Sequence, residues 1–133
     1  MPKKINTAPK LSTLEKSQRI LNFALEKLDD IKAKEIIVIA VADRTSITDY
    51  MVIASGTSTQ HVKSIARHLV QEAKKNHQEI LNHEGQGPGE WAVIDLNDVI
   101  VHVMLPTIRE YYQLEKFWSV EDLKAPALAA IHI

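Results

Sequence analysis

The longest apolar run of the chain, Ile36 to Ala42, is rich in β-branched residues. It is far too short to cross a lipid bilayer, which takes about 20 apolar residues. Short β-branched runs are typical of buried strands. The basic N-terminus has no apolar stretch behind it and is not a secretory signal. We therefore expect a soluble, cytoplasmic α/β protein, and the length of 133 residues allows one domain.

Hydrophobic periodicity predicts the order of helices and strands. Ser12 and Glu15 have the spacing of a capping box, and apolar residues recur at helical intervals behind them. Thr57 and Ser58 are both candidate N-caps of a second helix, and Thr107 with Glu110 has capping-box spacing at a third. The predicted elements are a helix over 13–31, strands over 35–41 and 47–54, a helix from 57–58, strands over 79–83, 91–95 and 98–104, and a helix from 106–107 to about 118.

The segment Trp91 to Met104 has the pattern of a β-hairpin. Leu96 and Asn97 form the predicted turn, and Asn tolerates the left-handed conformation that such turns need. A leucine at a two-residue turn is expected to be exposed. Short connections favour antiparallel neighbours, and the long middle helix allows one parallel crossover. The fold class is therefore α/β (α+β), a mixed sheet of about five strands flanked by helices.

The ends of the chain carry little periodic pattern. Residues 1–12 contain two prolines and are predicted to be a flexible arm. The domain is expected over 13–118. Residues 119–133 are predicted to be a C-terminal tail.

Composition restricts the possible chemistry. A net charge of -1 argues against a broad cationic face for nucleic acid, because binding of phosphates needs many Lys and Arg side chains. The chain has no cysteine, which excludes disulfides and thiolate metal sites. The histidines lack the close pairing of zinc ligands. We expect no metal and no cofactor.

The turn Ser55-Gly56-Thr57-Ser58 lies between a strand and a helix, where exposed N–H groups can hold phosphate. A Gly-Ser pair in this setting resembles the nucleotidyltransferase fold. Nucleotide transfer, however, needs carboxylates that hold metal ions, and two on one strand would be separated by a single position. Asp95 and Asp98 flank a turn instead. Helix capping is the favoured interpretation, and we do not expect an enzyme.

Aromatic residues are concentrated in the last third of the chain. Core packing is the ordinary role of each, but Trp91 beside an exposed Leu96 would mark an interface. Periodicity leaves open whether Trp91 faces a partner or the core. The aromatics of this region are Trp91, Tyr111, Tyr112, Phe117 and Trp118.

Several separated motifs of the chain match those of one known family in their order and spacing. The stretch Ser46 to Ser58, followed by His61-Val62, resembles a segment of the ribosomal silencing factors, also called the Iojap family. The resemblance extends over about residues 14–118 in one register. It continues through Glu84-Gly85, Trp91, Asp95 to Met104, and Tyr112 to Trp118.

The resemblance implies a non-catalytic domain with a nucleotidyltransferase-like fold. It implies binding to the large ribosomal subunit through large-subunit protein fourteen, which blocks joining of the small subunit and represses translation under nutrient limitation. It also implies little direct contact with nucleic acid, no small-molecule substrate, no membrane, and a possible homodimer when the factor is free. The remaining alternatives are a nucleotidyltransferase-like enzyme and an RNA-associated ribosome assembly factor.

Carried over by position, Trp91, Leu96 and Met104 would be apolar anchors for the partner. Asp95 and Asp98 would be acceptors at the rim for a basic ribosomal protein. The chain departs from the family pattern at Asn97, where Gly is frequent, and near Thr107, where the family often has an acidic residue.

Overall fold

The computed structural model describes residues 9–117, with side chains from Glu15 onward. Residues 1–8 of the predicted arm, Trp118 and the predicted tail lie outside this range. No helix within the range is long and apolar enough to span a bilayer. The elements are α1 (Pro9–Asp30), β1 (Lys34–Ala40), β2 (Tyr50–Ser55), α2 (Thr59–Lys75), β3 (Asn82–Glu84), β4 (Trp91–Asp95), β5 (Val99–Met104), α3 (Pro106–Tyr112) and α4 (Leu114–Phe117).

The strands form one five-stranded sheet in the order β1-β2-β5-β4-β3. Strands β2 and β5 are parallel, and the other three neighbouring pairs are antiparallel. The parallel pair needs a crossover, which the segment containing α2 supplies. The predicted mixed sheet with flanking helices is therefore confirmed.

Each face of the sheet has its own apolar core. Because side chains alternate along a strand, one face of β4 and β5 meets helices α1 and α2, and the opposite face meets α3 and α4. Sheet residues in the first core include Val52, Ala54, Ala92, Ile94, Val101 and Val103. Those in the second include Met51, Ile53, Ile100 and Met104, packed with Leu114.

The two long helices start at positions that the capping patterns predicted only in part. Ser58 caps α2, with its Oγ accepting a hydrogen bond from the N–H of His61 at 3.1 Å. Helix α1 begins at Pro9, before the predicted cap at Ser12. Proline suits a first helical turn because its φ is fixed and its missing N–H would be unpaired there. The predicted arm over 1–12 therefore overlaps the helix.

Strand β1 is an edge strand, not the buried strand that its composition predicted. It pairs with β2, and Ile37 and Val38 are both exposed. A run of β-branched residues fits a pleated surface at the centre or the edge of a sheet, so composition does not separate the two. Glu35 has φ 47 where the register with β2 shifts, which is the geometry of a bulge.

The last predicted helix is divided into two. Gln113 adopts the left-handed conformation, with φ 49 and ψ 50, and ends α3 before α4 begins. Thr107 does not cap α3, because Leu105 is the N-cap residue, without a side-chain hydrogen bond, and Pro106 occupies the first turn. After this break Leu114 packs in the second core, where its side chain is 6% exposed.

Candidate functional site

Trp91 lies at the start of β4 and is half-buried on the face of the sheet opposite α1 and α2. Its indole Nε1 donates a hydrogen bond to Nδ1 of His102 at 2.9 Å. The ring of Tyr112 also packs against the indole, with the ring centroids 4.9 Å apart. Trp91 thus contacts the core and also reaches the surface, and its orientation is fixed by a strand neighbour and a helix residue.

A cleft of about 320 Å³ opens beside the indole. Trp91, Val93, Ile100 and His102 supply its apolar and aromatic wall, whereas its charged lining consists of carboxylates and includes no Lys or Arg. Such a cleft suits an apolar group flanked by cationic side chains. The polar residues that complete it are Asn82, Glu84 and Asp95.

Two tyrosines extend the aromatic character of this region to the surface. Tyr111 is 79% exposed and Tyr112 is 46% exposed. Their rings meet edge-to-face, with centroids 4.9 Å apart and planes at 85°. We call Trp91, Tyr111 and Tyr112 the aromatic surface. The sequence signal for it was the concentration of aromatics in the last third of the chain.

Leu96 is fully buried, so the prediction that it is exposed was wrong. Its side chain continues the alternation of Ala92 and Ile94 into the core beneath the helices. The two residues of the hairpin turn are Asn97 and Asp98, not Leu96 and Asn97 as predicted, since Asp95 pairs with Ile100 and the N–H of Leu96 donates to the carbonyl of Val99 at 2.8 Å. Met104 is also fully buried, in the second core. Neither side chain has surface available to a partner in this conformation.

The two predicted rim carboxylates lie in different surroundings. Asp95 lines the cleft beside Trp91, and its Oδ1 accepts from the N–H of Asn97 at 2.8 Å. Asn97 has φ 81, which confirms the predicted left-handed turn. Asp98 instead lies beside Asp49, whose N–H donates to the Asp98 carbonyl at 3.0 Å. The structure therefore brings Asp95, but not Asp98, together with Trp91.

The pKa of the Asp98 carboxyl is raised by burial first and by the charge of Asp49 second. A carboxyl whose pKa is higher in the folded than in the unfolded chain opposes folding once it is ionised. This cost is absent below the ordinary value of 3.8 and complete above the raised pKa. We expect Asp98→Asn to increase the urea midpoint at pH 7, with the gain shrinking as the pH falls towards 4. An equal gain at both pH values would contradict this account.

In the turn Ser55-Gly56-Thr57-Ser58 before α2, the candidate phosphate site is filled by contacts within the protein. Arg109 is 6% exposed, donates from Nη1 to Ser55 Oγ at 2.8 Å and pairs with Glu115 at 3.2 Å. A Cβ on Gly56 would come within 2.7 Å of a methyl of Val62, so glycine permits close packing of the turn on α2. Among the described residues, no group of three or more His, Asp or Glu could hold a metal. The turn acts as a helix cap and a packing site.

The comparisons with known proteins identify the family. The family model described as ribosomal silencing factor during starvation matches residues 14–131, nearly the whole chain. This chain belongs to the ribosomal silencing factor family. The match extends beyond residue 118, where the sequence resemblance ended, and includes most of the segment predicted to be a tail.

Individual ribosomal silencing factors are similar over most of their own length. That of Chromobacterium violaceum is 41% identical over 77% of this chain and 84% of the relative. That of Haemophilus influenzae is 41% identical over 75% of this chain and 98% of the relative. A crystal structure of a Chromobacterium violaceum protein superposes with a TM-score of 0.74 at 40% identity, over 76% of this chain and 84% of that one. The α+β fold is therefore shared with a solved structure.

Proposed function

We propose that this ribosomal silencing factor binds the large ribosomal subunit through large-subunit protein fourteen and prevents the small subunit from joining. Translation is thereby repressed when nutrients are limited. The protein acts in the cytoplasm as a binding module, without catalysis. Membership of the family supports the ribosomal target, and the aromatic surface beside the acidic cleft is the observation that supports this mode of docking.

The aromatic surface has the features of a protein-binding hot spot. Tyr and Trp are enriched in such spots because they bury a large area with few rotatable bonds. Trp91 is held in place by His102 and Tyr112, so little side-chain freedom remains to be lost on binding. Tyr111 offers most of its ring to a partner.

The charge of the cleft favours a basic protein over nucleic acid at this surface. Glu84 and Asp95 line it and would repel phosphates, whereas they would pair with the Lys and Arg side chains of a ribosomal protein. In this proposal Asp95 is an acceptor at the rim and Trp91 is an anchor. A standard interface buries about 800 Å² on each partner. A body of 15.0 kDa on the joining face would exclude the small subunit sterically.

The same apolar surface would also serve a homodimer of the free factor. Exposed aromatic groups are covered when two copies pair face to face, because a twofold interface is self-complementary. Binding to the ribosome would then compete with dimerisation. Both states use the aromatic surface, so one substitution there is expected to weaken both.

We expect Tyr111→Ala to weaken binding to large subunits by about 1–3 kcal/mol, since exposed interface aromatics contribute on this scale. Its effect on the free energy of unfolding should stay within about 0.5 kcal/mol, because the side chain is exposed. The measurement is co-sedimentation with purified large subunits over a range of concentrations. A parallel assay follows the formation of whole ribosomes after small subunits are added.

The matched control is Ile47→Ala, which also removes an exposed apolar side chain, 49% exposed, in the connection between β1 and β2. It should leave subunit binding unchanged. If the unsubstituted protein neither co-sediments with large subunits nor reduces the formation of whole ribosomes, the proposed function is wrong. If Tyr111→Ala and the control behave alike, the function stands and the location of the docking surface is wrong.

A further inference from the structure

A groove on the outer surface of α2 is lined by several cationic side chains, although the net charge of the whole chain is only -1. The groove has a volume of about 460 Å³ and runs between α2 and the loop that follows β3. Lys63, Arg67 and Lys74 line it, and none of its lining residues is acidic. We call these three side chains the groove cations.

The groove cations are not neutralised by acidic side chains of the described residues. Glu72, the acidic residue of α2, faces α1 and pairs with Lys27 at 3.7 Å and Lys75 at 3.3 Å. Within the part of the chain that the structure describes, the groove cations take part in no ion pair. Their positive charge is therefore available to an anion from outside.

The shape of the groove suits an extended polyanion better than a single phosphate. From Lys63 to Lys74 the helix advances about 16 Å, because it rises about 1.5 Å per residue. Gln86 and Gly87 of the loop line the wall opposite α2. A Cβ on Gly89 would lie 2.7 Å from the carbonyl oxygen of Thr59 and 3.0 Å from two carbons of Lys63, so glycine allows the same loop to approach the start of α2 closely. Gln71 and Gln86 add amide donors to the lining.

Strand β3 separates the groove from the acidic cleft. Asn82 and Glu84 line the cleft, whereas His83 lines the groove, as expected for alternating side chains on one strand. His83 is held by Gln86, whose amide nitrogen lies 2.7 Å from Nδ1 of the imidazole. The two surfaces are therefore adjacent but face different directions and carry opposite charge.

We propose that the groove cations bind the phosphate backbone of RNA beside the protein-docking surface, so that the bound factor contacts protein and RNA at once. The inference rests on the proposed function for the ribosomal location of that RNA. Contacts to phosphates position a protein without reading sequence. The RNA contact would fix the orientation of the factor, while the aromatic surface selects the protein partner.

The direct test titrates the full chain with a short double-stranded RNA at several salt concentrations. The combined variant Lys63→Gln, Arg67→Gln and Lys74→Gln should bind the RNA about 10-fold more weakly or worse. The slope of log K against log salt should fall by about 2–3, since each phosphate contact contributes roughly one unit. The matched control, Lys16→Gln, Lys32→Gln and Lys34→Gln, removes the same charge from exposed positions outside the groove and should retain the binding and the slope.

Equal weakening by the two triple variants would overturn the inference, because net charge and not the groove would then control binding. Equal, groove-dependent binding of polyglutamate would also overturn it, in favour of an acidic protein partner. A second titration uses purified large subunits and separates this inference from the proposed function. Binding of RNA but not of subunits would refute the proposed function while the groove stands. Binding of subunits with unchanged affinity and salt slope in the groove variant would refute the groove contact.

Discussion

Leu96→Ala should lower the free energy of unfolding by about 2–5 kcal/mol, the range for leucine-to-alanine changes in well-packed cores. Leu96 is fully buried between the sheet and the helices, among Ile94, Val99 and their neighbours. Removing its side chain leaves a cavity that the strand turn cannot close by itself, because the backbone there is hydrogen-bonded to Val99. Urea denaturation monitored by circular dichroism measures the change.

Leu81→Ala provides the matched control, because that leucine is 54% exposed. Its effect should stay within about 0.5 kcal/mol. The comparison also decides how Leu96 acts. A variant at Leu96 with unchanged stability but weaker binding to large subunits would restore the surface-anchor role that the sequence predicted and contradict the buried position.

Gly85→Ala should cost more than about 2 kcal/mol of stability, because two obstacles coincide at this residue. Gly85 has φ 86, a conformation that L side chains rarely adopt. A Cβ there would lie 2.0 Å from the carbonyl oxygen of Trp91, which is backbone and cannot rotate away. The expected result is a lower thermal midpoint together with weaker docking, since the start of β4 and the indole would both have to move.

Gly87→Ala is the matched control within the same loop. A Cβ at Gly87 meets nothing within 4 Å, and its φ is not in the left-handed region. The change should be neutral or should stabilise by up to about 1 kcal/mol, because alanine restricts the unfolded chain. Similar losses from both substitutions would show that the loop tolerates no side chain for another reason.

The sequence predicted the elements whose signals are local. Asn97 in a left-handed turn and the apolar face of α2 depend on residues a few positions apart, and both are confirmed. The cap of α2 was predicted at Thr57 or Ser58, and the structure selects Ser58. The long middle helix allowed one parallel crossover, and the structure places the parallel pair at β2 and β5, which the sequence did not specify. The family resemblance added a function that no local pattern could supply.

The errors arose where position depends on distant parts of the chain. Composition could not show that β1 lies at an edge, because that depends on which strands pair with it. Arg109 donates a hydrogen bond to Ser55, which lies 54 positions away in the sequence, and no periodic pattern predicts such a bond. The burial of Leu96, by contrast, does have a signal in the sequence. Ala92, Ile94 and Leu96 recur at every second position, so the buried face of β4 continues to the last residue before the turn.

Composition also failed to predict the position of the groove. Net charge averages over the surface, whereas a nucleic-acid contact depends on a few cations on one face of one helix. Lys63, Arg67 and Lys74 share such a face, and the spacing could have been read from the sequence. The sequence did not show the wall opposite them, which Gln86 and Gly87 of the loop after β3 provide.

The order of strands in the sheet also determines when the sheet can be completed during synthesis of the chain. Strand β5 lies between β2 and β4 but is synthesised after both. At about 5–20 residues per second, several seconds separate the emergence of β2 from that of β5. During that interval β2 has an unpaired edge, and the apolar side of α2 has no complete sheet to cover it. A nascent chain of this topology therefore waits, incompletely folded, at the surface of the ribosome that is translating it.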